Sequence, residues 1–296
     1  MKNFTKLAIG ALLLCGAAGM NAQNRTDLIW IVGDGVASGW SLDDATALTP
    51  VANAESVYSG TIWLEADKDF KFLTTYNWND HEYRPVEPNA TPNAEGKVEL
   101  NRIQGDDNDY KIHVTESANW HITVDCVANV ATFTKAPYQD THINWCSLFM
   151  VGSATPGEWS VDNGTTMAQV SDETPYIYKA SGATLKEGKF KITTSLKGGY
   201  DQKYWWFRDA TDAGKAVLNQ DGDLQWEIAK EGIYDVTLNT ISGDITITED
   251  ISNCVSIVAE DATPVYYNMQ GIRIANPVKG QTLIRVAGKS SSKVIF

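Results

Sequence analysis

The chain has 296 residues, 43% of them hydrophobic and 10% aromatic, enough material for about two packed domains. Its formal net charge of −13 excludes the basic groove that nucleic acid needs and works against adhesion to anionic lipid. A neutral partner such as a sugar fits that charge.

Residues 1–22 have the form of an export signal. Met1-Lys2-Asn3-Phe4-Thr5-Lys6 supplies positive charge, Leu7 to Leu14 an apolar stretch, and Met20-Asn21-Ala22 a small residue at a cut before Gln23. The stretch is too short for a stable membrane span. Cys15 raises the question of lipidation, but Leu14 stands where a lipobox needs a small residue, so cleavage by ordinary signal peptidase is expected. The mature protein is expected to be exported, to the cell surface and outer membrane or beyond.

After the signal, short β-branched and aromatic runs follow one another with Gly, Asn, Asp or Pro between them. Leu28–Val32, Ser59–Leu64, Phe70–Thr74, His121–Val124 and Val130–Phe133 are such runs. The same blocks then return in the same order. Leu28-Ile29-Trp30-Ile31-Val32-Gly33 leads into Gly39-Trp40-Ser41-Leu42, as Leu148-Phe149-Met150-Val151-Gly152 leads into Gly157-Glu158-Trp159-Ser160-Val161. Phe70-Lys71-Phe72-Leu73-Thr74 is echoed by Phe190-Lys191-Ile192-Thr193-Thr194, and Trp120–Val124 by Tyr234–Leu238. A repeat of this length is a whole domain rather than a solenoid unit. Asp244-Ile245-Thr246-Ile247-Thr248 alternates cleanly after a Ser242-Gly243 turn, and no long stretch carries a helical period. These signals predict an all-β chain of two tandem β-sandwich, immunoglobulin-like modules, at 23–136 and 142–250 with Pro137–Thr141 as linker. A tail at 251–296 has no counterpart in the repeat. Its runs at Pro264–Ile274 and Gly280–Lys289, with Lys293-Val294-Ile295-Phe296, read as hairpin strands.

Carboxylates are plentiful, with 37 Asp and Glu, but motifs for catalysis or metal are sparse. Cys126, Cys146 and Cys254 remain after signal cleavage, an odd number with no zinc spacing. They read as buried small hydrophobes, a Cys126–Cys146 bridge between modules being an open alternative. Asp106-Asp107-Asn108-Asp109 and Asn219-Gln220-Asp221-Gly222-Asp223 have the oxygen density calcium likes, but lack a complete loop with a distal Glu and read as turns. His81, His113, His121 and His142 are scattered, and no nucleophile elbow, phosphate loop or His-Glu zinc motif occurs. No catalytic residue, metal or cofactor is expected, and paired small sandwiches offer no obvious deep cleft for a glycosidase acid.

Aromatic residues point elsewhere. A neutral polysaccharide presents apolar ring faces and hydroxyls, so its binder needs exposed Trp or Tyr platforms beside a few polar groups. Tyr76-Asn77-Trp78-Asn79-Asp80 and Tyr83-Arg84 follow the Phe70 strand, and Tyr200 with Tyr204-Trp205-Trp206-Phe207-Arg208 holds the same place in the second module. Trp205 and Trp206 cannot both face one core if extended, which sends at least one toward solvent or ligand. Trp40 and Trp159 follow the repeated glycine turn, where a turn-pinning core role is the competing reading. Lys71 and Lys191 alternate with apolar neighbours. That puts them on a solvated face or, beside the aromatic loops, in contact with hydroxyls.

With these residues in view, the chain resembles the SusE/SusF-type starch-binding outer-membrane proteins, which carry tandem starch-binding sandwiches. The resemblance rests on Val32-Gly33 to Gly39-Trp40, Val151-Gly152 to Gly157-Glu158-Trp159, Phe70-Lys71-Phe72 and Phe190-Lys191-Ile192. It implies that Trp40, Lys71 and Trp78 hold glucan in one module, and Trp159, Lys191 and Trp205 or Trp206 in the other. Tyr76 and Tyr204 complete the candidate set from the aromatic loops. The family's lipoprotein signal is poorly matched here. The tail instead resembles a C-terminal sorting domain of the type IX secretion kind, through Tyr267-Asn268-Met269-Gln270-Gly271 and Leu283-Ile284-Arg285-Val286-Ala287-Gly288-Lys289, with Thr282 where an aromatic is usual. The expected function is non-catalytic tethering of starch-like polysaccharide near outer-membrane glycan-uptake proteins. A structural or adhesive surface protein is the alternative, and a glycoside hydrolase a distant third.

Overall fold

The computed structural model describes residues 27–105, 109–197, 199–250, 265–269, 271–287 and 290–295. The expected signal with Cys15, the loop residues Asp106-Asp107-Asn108, Cys254, and Gln270, Gly288 and Lys289 of the tail motifs lie outside them. One compact unit ends at Asp250 and a second begins at Ile251.

The fold is all-β. The first repeat supplies β1 (Ile29–Gly33), β2 (Thr46–Pro50), β3 (Val57–Leu64), β4 (Phe70–Leu73), β5 (Glu82–Pro85), β6 (Lys97–Ile103), β7 (Ala118–Asp125) and β8 (Val130–Lys135). They are antiparallel in the order β1-β2-β3-β7-β8-β6-β5-β4, and the path closes on itself. The second supplies β9 (Ser147–Val151), β10 (Thr165–Gln169), β11 (Ile177–Leu185), β12 (Gly188–Thr193), β13 (Trp205–Arg208), β14 (Ala216–Leu218), β15 (Trp226–Ile228), β16 (Gly232–Asn239) and β17 (Ile245–Glu249). Its order β14-β13-β12-β9-β10-β11-β16-β17 repeats the first strand for strand, with β15 added against β12. The first ring closes through a β6–β8 ladder. The second is latched by a single Lys215–Asp244 bridge, with Ala216 N–H donating to Gly243 O at 2.7 Å and Ile245 N–H to Gly214 O at 3.0 Å. Tyr83 and Arg84, read as loop, form part of β5 instead, because pairing with β4 and β6 satisfies their backbone.

Each ring encloses its own core. Ile31, Ile62, Phe70, Phe72 and Ile122 fill the first, and Met150, Tyr178, Phe190, Trp206 and Val236 the second. The repeated glycine at the end of β1 and β9 follows from close approach. A Cβ on Gly33 would lie 2.2 Å from Asp69 O and 2.3 Å from Phe70 Cα; on Gly152 it would lie 2.1 Å from Lys189 O and 2.5 Å from Phe190 Cα.

The strands β1 and β4 are buried on both faces, which explains why β1 is apolar throughout rather than alternating. Their outer face carries Leu28, Trp30, Val32 and Leu73, and these pack with Tyr76, Phe149 and Leu196 into a core shared by the two modules. The rings of Trp30 and Phe149 lie 6.1 Å apart, and Trp30 and Tyr76 3.8 Å. Polar bonds lock the seam. The Gln169 side chain accepts from Thr61 N–H at 2.6 Å and donates to Thr61 O, Pro175 O and Trp145 O at 2.8, 2.9 and 3.2 Å. The linker is tied down as well: buried Asn119 donates to Tyr138 O at 3.1 Å and to Thr141 O at 2.7 Å. Cys126 and Cys146 are free thiols, so the bridge left open by sequence is not made. Cys146 packs in the first module's core, and burial pushes both thiols up.

In the second unit, β18 (Val265–Tyr267), β19 (Arg273–Ile274), β20 (Thr282–Ala287) and β21 (Ser290–Ile295) form one antiparallel sheet in the order β19-β18-β20-β21.

Gly33→Ala and Gly152→Ala should each destabilise the protein by about 2 kcal/mol or more through backbone collision. Gly39→Ala, whose Cβ would meet nothing within 4 Å, should cost about 1 kcal/mol for its positive φ of 58°. Urea unfolding midpoints check the ranking.

Candidate functional site

The outer sheet face that forms the seam continues past it. Along β1 and β4 the Trp30–Leu73 pair is followed, one pleat on, by Val32–Lys71; along β9 and β12 Phe149–Thr193 is followed by Val151–Lys191. At each lysine an aromatic shelf covers the sheet.

In the first module the shelf is Trp40 and Trp78. Trp40 follows a tight turn in which Gly33 N–H donates to Gly39 O at 2.9 Å. Trp78 sits at the tip of the β4–β5 loop, which is held by Asn77 Oδ1 accepting from Asn79 N–H at 3.0 Å and Asp80 Oδ2 accepting from Thr75 Oγ1 at 3.1 Å. The two indoles are 6.4 Å apart and tilted by 45°. Trp78 is 39% exposed, and Trp40 is half-buried at the edge of the seam core. Beneath them Lys71 Nζ lies 5.1 Å from the Trp78 ring centre, and Lys111 Nζ lies 5.7 Å from that of Trp40.

Lys71 is not on a solvated face. It does project opposite Phe70 and Phe72, as alternation requires, but the shelf covers it and it is 5% exposed. A buried ammonium needs partners, and it has two carboxylates: Glu82 at 2.7 Å and Asp109 at 3.0 Å. Arg84 joins through Glu82 at 2.7 Å and donates to Gly105 O at 2.7 Å. Burial works against the Asp109 charge, but hydrogen bonds from Lys71 and Lys111 outweigh it and hold the carboxyl below its usual range. That is the opposite of what a general acid requires.

The second module solves the same problem differently. By strand register Trp205 replaces Glu82 and Phe207 replaces Arg84. Lys191, 7% exposed, keeps one carboxylate, Asp223 at 2.9 Å, and is otherwise ringed by Trp205, Tyr200 and Phe207 at 4.4, 5.2 and 5.3 Å. Asp223 belongs to the oxygen-rich loop read as a turn, and its Oδ2 accepts from Gln225 at 2.8 Å. Tyr200 lies parallel to Trp205, with ring centres 5.8 Å apart and planes 6° apart, and its hydroxyl donates to Trp159 O at 2.6 Å. Trp159 is half-buried against Val151, Val161 and Trp205. Glu158 occupies the place of Gly39, with a φ of 52°, and pairs with Lys186.

The structure thus brings together Trp40, Lys71 and Trp78 on one shelf, and Trp159, Lys191 and Trp205 on the other. Three candidates fall elsewhere. Tyr76 is buried in the seam, where its hydroxyl accepts from Leu196 N–H at 3.1 Å. Trp206 points into the second core, its ring 6.4 Å from Trp145, because alternation sends it opposite Trp205. Tyr204 packs edge-on against Trp145 at 5.5 Å beside that same core. Trp205 itself is 6% exposed, since Tyr200 covers it; the ring open to solvent is Tyr200, at 54%. Tyr200, Phe207, Asp109 and Asp223 were outside the candidate set. A buried mid-strand lysine requires a nearby carboxylate, but reading both lysines as solvated hid that signal for the two aspartates.

Among solved structures the chain is similar to SusF from Bacteroides thetaiotaomicron, with 16% sequence identity and a TM-score of 0.31. The match covers 77% of this chain and 48% of SusF, so the chain spans about half of that protein. No family model and no curated protein matches. Among the described residues no helix is long and apolar enough to cross a membrane.

Glu82→Ala should cost about 3–5 kcal/mol, because it leaves Lys71 and Arg84 buried beside one remaining carboxylate. Tyr200→Ala should change stability by under about 1 kcal/mol, which urea melts of the two variants will show. Asp109 stabilises the fold above the ordinary carboxylate range, and that contribution disappears as pH falls through its lowered folded value. Melting curves of wild type and Asp109→Asn should therefore differ at neutral pH and converge in strong acid.

Proposed function

We propose that the paired modules bind neutral polysaccharide without cutting it, each through its aromatic shelf. The observation that carries this reading is the open Trp40–Trp78 pair. Two tilted indoles 6.4 Å apart, one well exposed, stand above fixed charges, an arrangement that offers a sugar both apolar ring contact and hydrogen-bonding groups. Around it Lys111, Asp109, Asn77 and Asn79 supply polar atoms within reach of hydroxyls. In the second module Tyr200 presents the ring face. Behind it Lys191 is held by Asp223 and by the surrounding ring faces.

The choice of an α-glucan of the starch type rests on the resemblance of the Trp40, Lys71 and Trp78 positions, and of Trp159 and Lys191, to starch-binding sandwiches. On that reading the protein is exported, holds glucan at the cell surface beside uptake proteins, and its tail serves secretion or sorting. The carboxylates at both shelves are engaged by lysines, which suits binding rather than acid–base chemistry.

Retention in an amylopectin affinity gel tests the reading. Trp78→Ala combined with Tyr200→Ala should abolish retention while thermal melting barely moves. Undiminished retention by the folded double variant would remove the site assignment. Trp206→Ala is unsuited to this purpose, since a core indole lost should cost about 3–5 kcal/mol.

A further inference from the structure

We infer that the mouth of the second ring is a binding site for a small uncharged molecule, a single apolar ring carrying one hydrogen-bond acceptor. The site is separate from the shelves and does not depend on the carbohydrate reading. A recess of about 300 Å³ opens there, beside the starts of β9 and β11, the middle of β13 and the β16–β17 turn. Trp145, Tyr178, Trp206 and Leu218 line it, and Ile241, 52% exposed, stands at its rim. At about 30 Å³ for each water-sized unit, it accommodates about ten non-hydrogen atoms.

The two modules differ at this place. By register Trp206 stands where the first module has Tyr83, and Thr240 where it has Cys126. In the first module those two side chains meet: Tyr83 and Cys126 share a hydrogen bond, and both lie against the core. In the second, Thr240 turns its hydroxyl away and donates to Tyr176 O at 3.1 Å. Trp206 is 5% exposed, and its indole N–H has no hydrogen-bond partner among the described residues. A buried donor left unpaired costs stability that a bound acceptor restores.

The lining narrows the ligand. None of its side chains carries a carboxylate, ammonium or guanidinium, so an ion entering the recess would lose water and gain no counter-charge. The remaining hydroxyls are already engaged: Tyr178 donates to Trp145 O at 2.5 Å, and Thr141 Oγ1 bonds with the Tyr138 hydroxyl at 3.0 Å. His142 and Asn144 stand exposed at the rim, His142 stacked on Trp63 at 3.5 Å. A sugar, with a hydroxyl on nearly every carbon, would bury groups it could not pair. An apolar ring with one carbonyl or hydroxyl oxygen fits, because Trp145 and Trp206, 6.4 Å apart and inclined by 82°, offer it both ring face and ring edge. Trp205 leaves the opposite side of β13 for the shelf, so one strand carries two distinct sites.

Titration calorimetry with acetophenone, ethylbenzene and benzoate, together with the indole N–H resonances of the isotope-labelled protein, tests the inference. Acetophenone should bind one per protein and move the Trp206 signal. Ethylbenzene, of nearly the same shape without the acceptor, should bind about tenfold more weakly, the loss expected for one hydrogen bond. Benzoate should not bind measurably. Trp206→Phe should bind acetophenone and ethylbenzene equally, and Leu218→Phe, which narrows the recess from a half-buried wall, should weaken both, with melting curves showing that each variant is folded. If Trp206→Phe does not fold, the wild-type ligand series and Leu218→Phe decide. No binding of acetophenone, equal wild-type affinity for acetophenone and ethylbenzene, displacement of acetophenone by glucose, or an unmoved Trp206 signal would overturn the inference. Amylopectin retention reads the shelves separately, so either result can fail without the other.

Discussion

One sheet face in each module must be covered by something other than its own core. The outer face of β1 and β4 carries Trp30, Val32 and Leu73, too apolar to leave in water, and one pleat further a lysine flanked by the same apolar strand. Burying about 25 cal/mol of stabilisation per Å² of apolar surface favours covering the whole strip. The fold divides the strip in two. The sister module covers the first part and forms the seam; the aromatic loop covers the second and forms the shelf. Shelf and seam are therefore neighbouring stretches of one surface, and the residues between Leu73 and Trp78 serve both. Tyr76 closes the seam while Trp78, two positions on, stands at the shelf.

The two lysines show how one position tolerates different surroundings. In the first module the ammonium is neutralised by Glu82 and Asp109, and Arg84 balances the extra carboxylate. In the second, Trp205 and Phe207 take those two strand positions, and ring faces replace one ion pair. A buried charge is costly unless paired, and both arrangements meet that demand. They differ in what remains for a ligand. The first shelf presents a saturated lysine beneath one exposed and one half-buried indole, and the second a lysine with a single carboxylate behind an exposed tyrosine.

Much of the fold was legible because it is written in short-range chemistry. β-Branched runs with turn residues between them, the repeated Val-Gly step before the Trp turn, and the Ser242-Gly243 hairpin each depend on local geometry, and all of them appear where expected. Trp40 with Trp159 and Lys71 with Lys191 were legible for the same reason, since duplication shows which positions recur; Trp78, and Trp205 or Trp206, came from the family resemblance alone. What could not be read was anything decided by the second module's approach. Tyr76 looked like a platform because a polar loop usually faces water, and only the seam shows why it is buried. The lysines looked solvated because alternation tells which face a residue takes but not what covers that face. Trp206 was separated from Trp205 by alternation, yet which of the two faced inward depended on register with β12.

The seam pairs like with like. Trp30 and Phe149 hold corresponding places in the two repeats, as do Tyr76 and Leu196, and each meets its own counterpart. A surface that contacts its own copy is the form of an isologous two-fold dimer, here captured within one polypeptide. Such an interface arises most simply when a self-associating ancestor is duplicated and fused. One copy is then free to trade Trp for Phe, or Tyr for Leu, only in step with the residue its twin presents.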